Sequence, residues 1–184
     1  MDTMTPKSGR FVIPEAVATH FHLRAGDTVA DFGAGMGNFA VALSRLVGDE
    51  GTVYACEIQK NLVEAIEGKV RNAGLSNVET IWCDLEAENG TKLKDGVLDA
   101  GILVNTLFIM EEKEVAVKEM ARTLRPGGKM FVIDWSESFG GLGPQPDQVV
   151  TAQAVKDLLE AAGLVFEREF DAGDHHYGLS FRKL

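Results

Sequence analysis

A glycine-rich segment that joins a short apolar run to a helical pattern is the part of this sequence best suited to bind a ligand. It reads Asp31-Phe-Gly-Ala-Gly-Met-Gly-Asn38. Glycine lets a backbone turn sharply and approach a ligand closely, and the first turn of the following helix offers N–H groups without intrahelical partners. The carboxylate of Asp31 would repel a pyrophosphate and favour a cationic or hydroxyl-bearing group. The segment therefore predicts a site for a ligand of that character.

The spacing of the three glycines argues against two common nucleotide sites. Gly33, Gly35 and Gly37 follow the pattern Gly-x-Gly-x-Gly. A dinucleotide fingerprint needs Gly-x-Gly-x-x-Gly, and Asn38 stands where its third glycine belongs. The Gly-Lys-Ser/Thr of a nucleoside-triphosphate loop is absent. A nicotinamide-dependent oxidoreductase stays open as a rival enzyme class, and a tight turn without a ligand is the purely structural alternative.

Apolar runs alternate with helical patterns along the chain, and this alternation predicts the elements that position the glycine segment. The predicted strands cover residues 28–32, 51–56, 78–82, 98–104, 129–135, 165–170 and 176–181, and the predicted helices cover 38–47, 59–72, 111–124 and 151–162. One further helix begins near Pro14. The pattern predicts an α/β fold: a doubly wound, seven-stranded, mostly parallel sheet with helices on both faces. The last strand is antiparallel, because five residues cannot hold a crossover helix.

Five motifs, in order along the chain, resemble those of the class I S-adenosylmethionine (SAM)-dependent methyltransferases. They are the glycine segment, Glu57 at the end of the second strand, Asp84 after the third, the segment 98–105 and the Leu-Arg-Pro-Gly-Gly turn at 124–128. The resemblance extends from about Phe11 to the C-terminus. It implies that the family's reversed last strand and its cofactor, SAM, are present here.

The resemblance also implies a role for each matching residue. Glu57 would accept both ribose hydroxyls, and Asp84 would accept from the adenine amino group. Asp31 would lie near the methionine ammonium, and Asn105 beside the methyl-bearing end. Isolated acids of this kind can also be helix caps or solvated carboxylates. The residues assigned to the cofactor are Asp31, Gly33, Ala34, Gly35, Gly37, Asn38, Glu57, Ile58, Asp84, Leu85 and Asn105.

Methyl transfer is an in-line displacement, so the protein must mainly align the nucleophile with the methyl group and the sulfur. A thiol, carbon or hydroxyl nucleophile also needs its proton removed. The candidate bases at the strand ends are Asp134, His175 and His176. The alternatives are that Asp134 is a solvated acid, that the two histidines only cap a hairpin, and that alignment alone suffices.

Two segments of the sequence are predicted to cover the binding site of the methyl acceptor. The segment 136–147 is rich in glycine and proline, and with residues 7–21 it is the predicted lid. Phe11, Phe108, Trp135 and Phe139 would line an apolar acceptor pocket, although packing is an alternative role for aromatic side chains. We expect no metal, since Asn105 and Asp134-Trp135 are poor in the oxygen ligands that a metal-assisted relative would use.

Composition sets the remaining expectations. The 184 residues predict one methyltransferase domain, with an N-terminal helical lid segment at 1–25 and a Rossmann-like core at 26–184. The net charge of −10 disfavours a nucleic-acid partner. The two cysteines and the lack of an apolar span predict a soluble cytoplasmic protein. We expect an enzyme that methylates a small molecule; methylation of protein or RNA, and a non-catalytic cofactor-binding module, are the alternatives.

Overall fold

The computed structural model describes residues 12–184, which form one seven-stranded sheet with helices on both faces. The strands are β1 (Thr28–Phe32), β2 (Thr52–Glu57), β3 (Val78–Trp82), β4 (Leu98–Val104), β5 (Leu124–Trp135), β6 (Leu164–Phe170) and β7 (His176–Lys183). The helices are α1 (Pro14–Ala18), α2 (Asn38–Val47), α3 (Lys60–Asn72), α4 (Lys113–Thr123) and α5 (Ala152–Ala161). Short 3-10 helices cover Thr19–Phe21 and Leu107–Ile109.

The strand order is β3-β2-β1-β4-β5-β7-β6. All neighbouring strands are parallel except β7, which is antiparallel to both β5 and β6. This confirms the predicted fold class. The carboxyl ends of β1, β2, β4 and β5 meet at one edge of the sheet, and β7 begins at that same edge. In open α/β sheets this edge is where ligands bind.

Each face of the sheet buries its own apolar cluster. One cluster joins the sheet to α1, α2 and α3, through residues such as Phe21, Leu43 and Ile66. The other joins it to α4 and α5, through residues such as Met120 and Leu159. Because both faces are covered, the central strands β1 and β4 are almost wholly buried. No helix among residues 12–184 is both long enough and apolar enough to cross a membrane.

Strand register places the candidate polar residues on defined faces of the sheet. Asp31 pairs with Ile102 of β4, which in turn pairs with Phe131 of β5. Four residues beyond Phe131, Trp135 pairs with His176 of β7. Side chains alternate between faces along a strand. Asp31, Trp135 and His176 therefore share the face covered by α1, α2 and α3, whereas Asp134 and its partner Tyr177 belong to the opposite face.

The fifth strand is longer than predicted, beginning at Leu124 and not at residue 129. Leu98 pairs with Leu124, but Ala100 pairs with Lys129, so three extra residues of β5 bulge out of the ladder. Pro126, which has no N–H to give to the ladder, and Gly127, with a φ of 78°, lie in this bulge. The Pro-Gly-Gly sequence therefore interrupts the pairing without ending the strand.

The described part of the predicted N-terminal lid is fixed to the core. Phe21 is only 1% exposed, and its ring centroid lies 4.5 Å from that of Phe131. The side chain of Arg168 on β6 also donates to the carbonyl of His20. Residues 12–21 are therefore packed against the sheet as part of the core. The preceding residues of the predicted lid, including Phe11, lie outside the described residues.

A buried carboxylate on α4 fixes the segment between β3 and β4. Glu119 is 3% exposed and accepts hydrogen bonds from the backbone N–H groups of Asn89 and Thr91, from the Thr91 hydroxyl and from Arg122. Burial alone would raise the pKa of Glu119, but the bonds from Arg122 and Thr91 outweigh it and lower the pKa to about 2. This segment follows Asp84, so the network also supports the ligand edge.

We expect Glu119→Gln to lower the free energy of unfolding at pH 7 by ~1.5–3 kcal/mol, because it removes charge-assisted hydrogen bonds from a buried group. A depressed pKa contributes stability that is present above the unfolded value of 4.5 and is lost as pH falls toward about 2. The difference between variant and wild type should therefore shrink on acidification. Urea unfolding measures it, with Glu114→Gln on the exposed side of α4 as the control; equal losses in both variants would contradict the network.

Candidate functional site

A cavity of about 480 Å³ opens at the carboxyl ends of β1, β2 and β4. This volume lies within the range usual for small-molecule sites, ~300–1,000 Å³. Ten of the eleven residues assigned to the cofactor line it: Asp31, Gly33, Ala34, Gly35, Asn38, Glu57, Ile58, Asp84, Leu85 and Asn105. The eleventh, Gly37, caps α2 behind the cavity and faces Ile66. The structure thus brings together residues that are up to 74 positions apart in the sequence.

The glycine loop is shaped by contacts that only glycine permits. Gly33 has a φ of 69°, and a Cβ at this position would lie 2.8 Å from both Oγ1 and Cγ2 of Thr106. Gly35 has a φ of 53°, but a Cβ there would meet no atom within 4 Å. Gly33 therefore allows the loop to pack against the segment after β4, while Gly35 leaves space on the cavity side.

Asp31 is a buried carboxylate with an unused oxygen. It is 2% exposed, and its Oδ2 has no hydrogen-bond partner within the described part of the chain. Burial raises its pKa to about 7; the backbone N–H of Ala40 opposes this rise and the charge of Glu57 adds to it. A bound cation would supply the missing partner and favour the ionised form.

Asn105 offers a second unpartnered acceptor in the same cavity. Its Oδ1 is buried and, among residues 12–184, has no hydrogen-bond partner. The residue has a φ of 51°, and its N–H is held by the carbonyl of Ile133. Leaving a buried acceptor unpaired costs ~1–3 kcal/mol. Two such oxygens in one cavity fit a ligand that carries several donors, as an ammonium group does.

Glu57 is held by three backbone N–H groups, those of Gly35, Ile58 and Gln59, each at 2.9 Å. A carboxylate has about four acceptor positions. One position on Oε2 therefore stays open for a ribose hydroxyl. For Glu57 to accept hydrogen bonds from both ribose hydroxyls, as predicted, one backbone N–H, such as that of Gly35, must break its hydrogen bond to the carboxylate.

Asp84 and its neighbours form the outer end of the cavity. Asp84 is exposed; its Oδ1 accepts from the N–H of Glu86 at 2.9 Å. Leu85 is buried, whereas Ile58 is 54% exposed. This combination of a carboxylate with two apolar side chains suits the edge and faces of an adenine ring.

The carboxylate of Asp134, which is a predicted base, accepts hydrogen bonds from backbone N–H groups. The residue is 1% exposed, and its carboxylate accepts from the N–H of Leu107 at 3.1 Å and from its own neighbour Trp135 at 2.8 Å. Burial raises its pKa to about 6, although these N–H groups oppose the rise. Asp134 thus fixes the 3-10 helix Leu107–Ile109, and both Ile109 and Met110 line the cavity.

The two histidines at the tip of the β6–β7 hairpin contact the segment after β5. The ring of His175 stacks on Phe139 with a centroid separation of 3.7 Å, and its Nδ1 lies 2.7 Å from Oε1 of Glu137. The ring of His176 lies 4.3 Å from that of Trp135. The hairpin and the glycine-rich segment therefore form one unit beside the cavity.

Of the predicted acceptor aromatics that the structure describes, Phe108, Trp135 and Phe139, none lines the cofactor cavity. Trp135 is 8% exposed, and Phe139 is 40% exposed. Phe108 belongs to the 3-10 helix that Asp134 holds. Their part in acceptor binding stays a prediction. No three His, Cys, Asp or Glu side chains in the described range are grouped to hold a metal ion, and a metal-free reaction also stays a prediction.

Sequence reasoning missed several cavity residues. They are Phe39, Gln59, Leu62, Glu86, Val104, Thr106, Ile109 and Met110, together with the buried thiols Cys56 and Cys83. Thr106 follows Asn105 directly, so its place after β4 was a usable signal. The others depend on how α2, α3 and the loops pack around the strand ends, which apolar periodicity does not report.

Comparison with known proteins shows the family to which the chain belongs. The model of a family described as "Methyltransferase domain" matches residues 30–132, from β1 into β5. A SAM-dependent methyltransferase from Aquifex aeolicus has the same fold, with a TM-score of 0.85 and 32% identity over 93% of this chain and 89% of that chain. An arsenic(III) S-adenosylmethionine methyltransferase from Chlamydomonas reinhardtii is 22% identical with a TM-score of 0.68, over 86% and 63% of the two chains, and shows the fold alone.

A curated relative, the ubiquinone/menaquinone biosynthesis C-methyltransferase of Escherichia fergusonii, is 33% identical over 116 residues. The match covers 62% of this chain and 45% of the relative, so this chain spans less than half of that protein. The family model and the Aquifex relative show that the chain belongs to the SAM-dependent methyltransferases. The predicted family is thereby confirmed.

We expect the affinity for S-adenosylhomocysteine, the demethylated product, to rise between about pH 5.5 and 7.5 in the wild type, because Asp31 ionises near pH 7. Asp31→Asn should bind more weakly and lose this pH dependence. In the protein without ligand, the raised pKa of Asp31 makes its contribution to stability fall as pH rises from about 4 to 7, and Asp31→Asn should lack that part of the fall. Calorimetric and thermal titrations measure both; a pH-dependent Asp31→Asn would contradict the assignment.

Asp134→Asn should weaken cofactor binding, because an amide cannot accept as well from both N–H groups and the 3-10 helix Leu107–Ile109 loses its anchor. We expect a loss of about three- to thirtyfold in the affinity for S-adenosylhomocysteine. A base that acts only on the acceptor would show the reverse: unchanged cofactor affinity with a large drop in the rate of transfer. Calorimetry and a transfer assay on the same variant separate the two roles.

Proposed function

We propose that this protein transfers a methyl group from SAM to a small-molecule acceptor by in-line displacement. The observation that carries the proposal is the pair of buried, unpartnered oxygens, Oδ2 of Asp31 and Oδ1 of Asn105, in one cavity of a methyltransferase fold. They suit the ammonium group of SAM. Glu57 would hold a ribose hydroxyl, and Asp84 with Ile58 and Leu85 would hold the adenine.

When bound, SAM supplies a methyl group made electrophilic by its sulfonium charge. The protein would contribute mainly alignment, which can supply roughly 7–11 kcal/mol of the barrier. The arrangement of residues in the cavity supports the binding of SAM. The residues suited to the ammonium lie at the ends of β1 and β4, and those suited to the adenine lie at the ends of β2 and β3. The methyl-bearing end would then lie beside Asn105, toward β5.

A small-molecule acceptor is supported by charge and by relatives. The net charge of −10 opposes an RNA acceptor. Curated relatives are described as ubiquinone/menaquinone biosynthesis C-methyltransferases, although this chain matches only 45% of their length. Asp134, His175 and His176 are the candidate groups on the acceptor side. A cytoplasmic location is supported by the two buried free thiols, which suit a reducing compartment.

Glu57→Ala should weaken the binding of S-adenosylhomocysteine by roughly 10–100-fold, because the variant loses hydrogen bonds to a charged acceptor. Glu57→Gln, which keeps one acceptor oxygen, should fall between. Calorimetric titration gives the affinities, and Glu64→Ala on the exposed face of α3 is the control. Unchanged affinity in Glu57→Ala would show that Glu57 does not bind the ribose. A wild type that does not bind S-adenosylhomocysteine at millimolar concentration would overturn the proposed function.

A further inference from the structure

The imidazole of His176 has one nitrogen that the fold leaves without a partner. Its Nδ1 lies 2.8 Å from the carbonyl oxygen of Asp174. Its Nε2 is buried and has no hydrogen-bond partner among the residues that the structure describes. Most buried polar atoms are paired, so an unpaired one calls for an explanation. The ring of Trp135 packs against the imidazole at a tilt of 41°, with 4.3 Å between the two ring centroids.

The bond to Asp174 determines which nitrogen carries the hydrogen. A carbonyl oxygen can only accept, so Nδ1 of His176 must donate. In the neutral ring Nε2 is then the acceptor, with a free lone pair. Burial lowers the pKa of His176, with the neighbouring His175 acting in the same direction, and the Asp174 carbonyl opposes them. The ring is therefore neutral at pH 7 and can take up a proton at Nε2.

The position of His176 matches the expected place of the acceptor. His176 and Asp31 share one face of the sheet, and both lie at its ligand edge. Asn105 directly follows β4, and β7 lies two strands away, which is about 10 Å at the usual strand spacing. Only the end of β5, at Trp135, lies between them. A small acceptor placed over that strand end would lie between Asn105 and His176.

The other two candidate bases are less suitable. Asp134 points to the opposite face and already accepts two backbone N–H groups. His175 is paired with Glu137, whose side chain is 59% exposed, so a proton there exchanges with solvent. His176 alone combines a free lone pair with shielding from water.

The surroundings of His176 select a flat acceptor. Trp135 packs against the imidazole at a tilt, and Gly143 lies so close to the indole that no side chain would fit there. Gly140, Gly141 and Gly143 all have positive φ, so this segment follows a path that only glycine adopts readily. A planar ring could replace the glycine backbone over Trp135 if the segment 136–147 moved outward.

We propose that His176 is the general base of the reaction and that the acceptor is a small aromatic hydroxyl compound, of the phenol class. This inference rests on the proposed function. The proton passes from the hydroxyl to Nε2, the oxygen lone pair forms the bond to the methyl carbon, and the C–S bond breaks with its electrons staying on sulfur. The products are an aryl methyl ether, a neutral thioether and a protonated His176, which then returns its proton to water.

The test uses two substitutions of the same residue. His176→Asn keeps an N–H close to the Asp174 carbonyl but removes Nε2. His176→Gln replaces the imidazole with a longer side chain whose amide cannot act as a base. His22→Asn, at an exposed position with a φ of 50°, is the matched control. Each protein is first titrated with S-adenosylhomocysteine, and we expect affinities within twofold of the wild type.

Methyl transfer is then measured with two probes, phenol and 4-nitrophenol, at about pH 8.5. Phenol is still protonated there and needs the base, so both His176 variants should lose ~10²–10⁴-fold in kcat. 4-Nitrophenol is already ionised, so its loss should stay below about tenfold. A readout without turnover is the binding of phenol to the S-adenosylhomocysteine complex, which should weaken about fivefold in His176→Asn.

Each other outcome overturns the inference. Equal losses with both phenols would mean that His176 is only structural, and no loss would mean that it takes no part. A wild type that binds S-adenosylhomocysteine but methylates neither phenol would contradict the acceptor class. A wild type that does not bind it at all would instead overturn the proposed function, so the two failures are distinguishable.

Discussion

The carboxylate of Asp31 is buried beside the cavity with one oxygen unpaired, and the arrangement of the site depends on that unfavourable placement. A buried carboxylate is stable only when it is neutral, has a cationic partner or accepts enough hydrogen bonds. Residues 12–184 supply none for Oδ2, and they leave Oδ1 of Asn105 equally unpaired. The fold therefore stays less stable than it could be, and a ligand with an ammonium group recovers the difference on binding.

The remaining acids show how environment assigns different work to the same side chain. Glu119 gathers N–H groups and an arginine, and it stabilises the segment after Asp84. Asp134 gathers backbone N–H groups and fixes the wall that contains Met110. Glu57 keeps one acceptor position open between three N–H donors. A carboxylate whose oxygens are all paired with donors of the protein stabilises the fold, whereas one with an unpaired oxygen can bind a ligand. The number of donors around each carboxylate depends on tertiary contacts.

This dependence explains what the sequence could predict. The strands and the reversed last strand follow from apolar periodicity and from a short connection, which are local. The ten cavity residues follow from the resemblance of the motifs at the strand ends to those of the methyltransferase family. The bulge at Pro126 was missed because a proline next to glycine usually ends a strand, and here Leu98 pairs with Leu124 across it. The commitment of Asp134 to Leu107 was missed because the two are 27 positions apart and no periodicity links them.

The reversed strand also gives the acceptor side its chemistry. A parallel seventh strand would end at this edge and would bring its last residue there; an antiparallel one begins there, so the hairpin tip with His175 and His176 faces the segment after β5. Cofactor residues come from the ends of β1, β2, β3 and β4, whereas the two histidines come from a hairpin that pairs with none of these strands. The acceptor side can therefore change in sequence without disturbing the cofactor side. Because the ring of His176 lies 4.3 Å from that of Trp135, its orientation depends on Trp135 more than on any residue of the cofactor cavity.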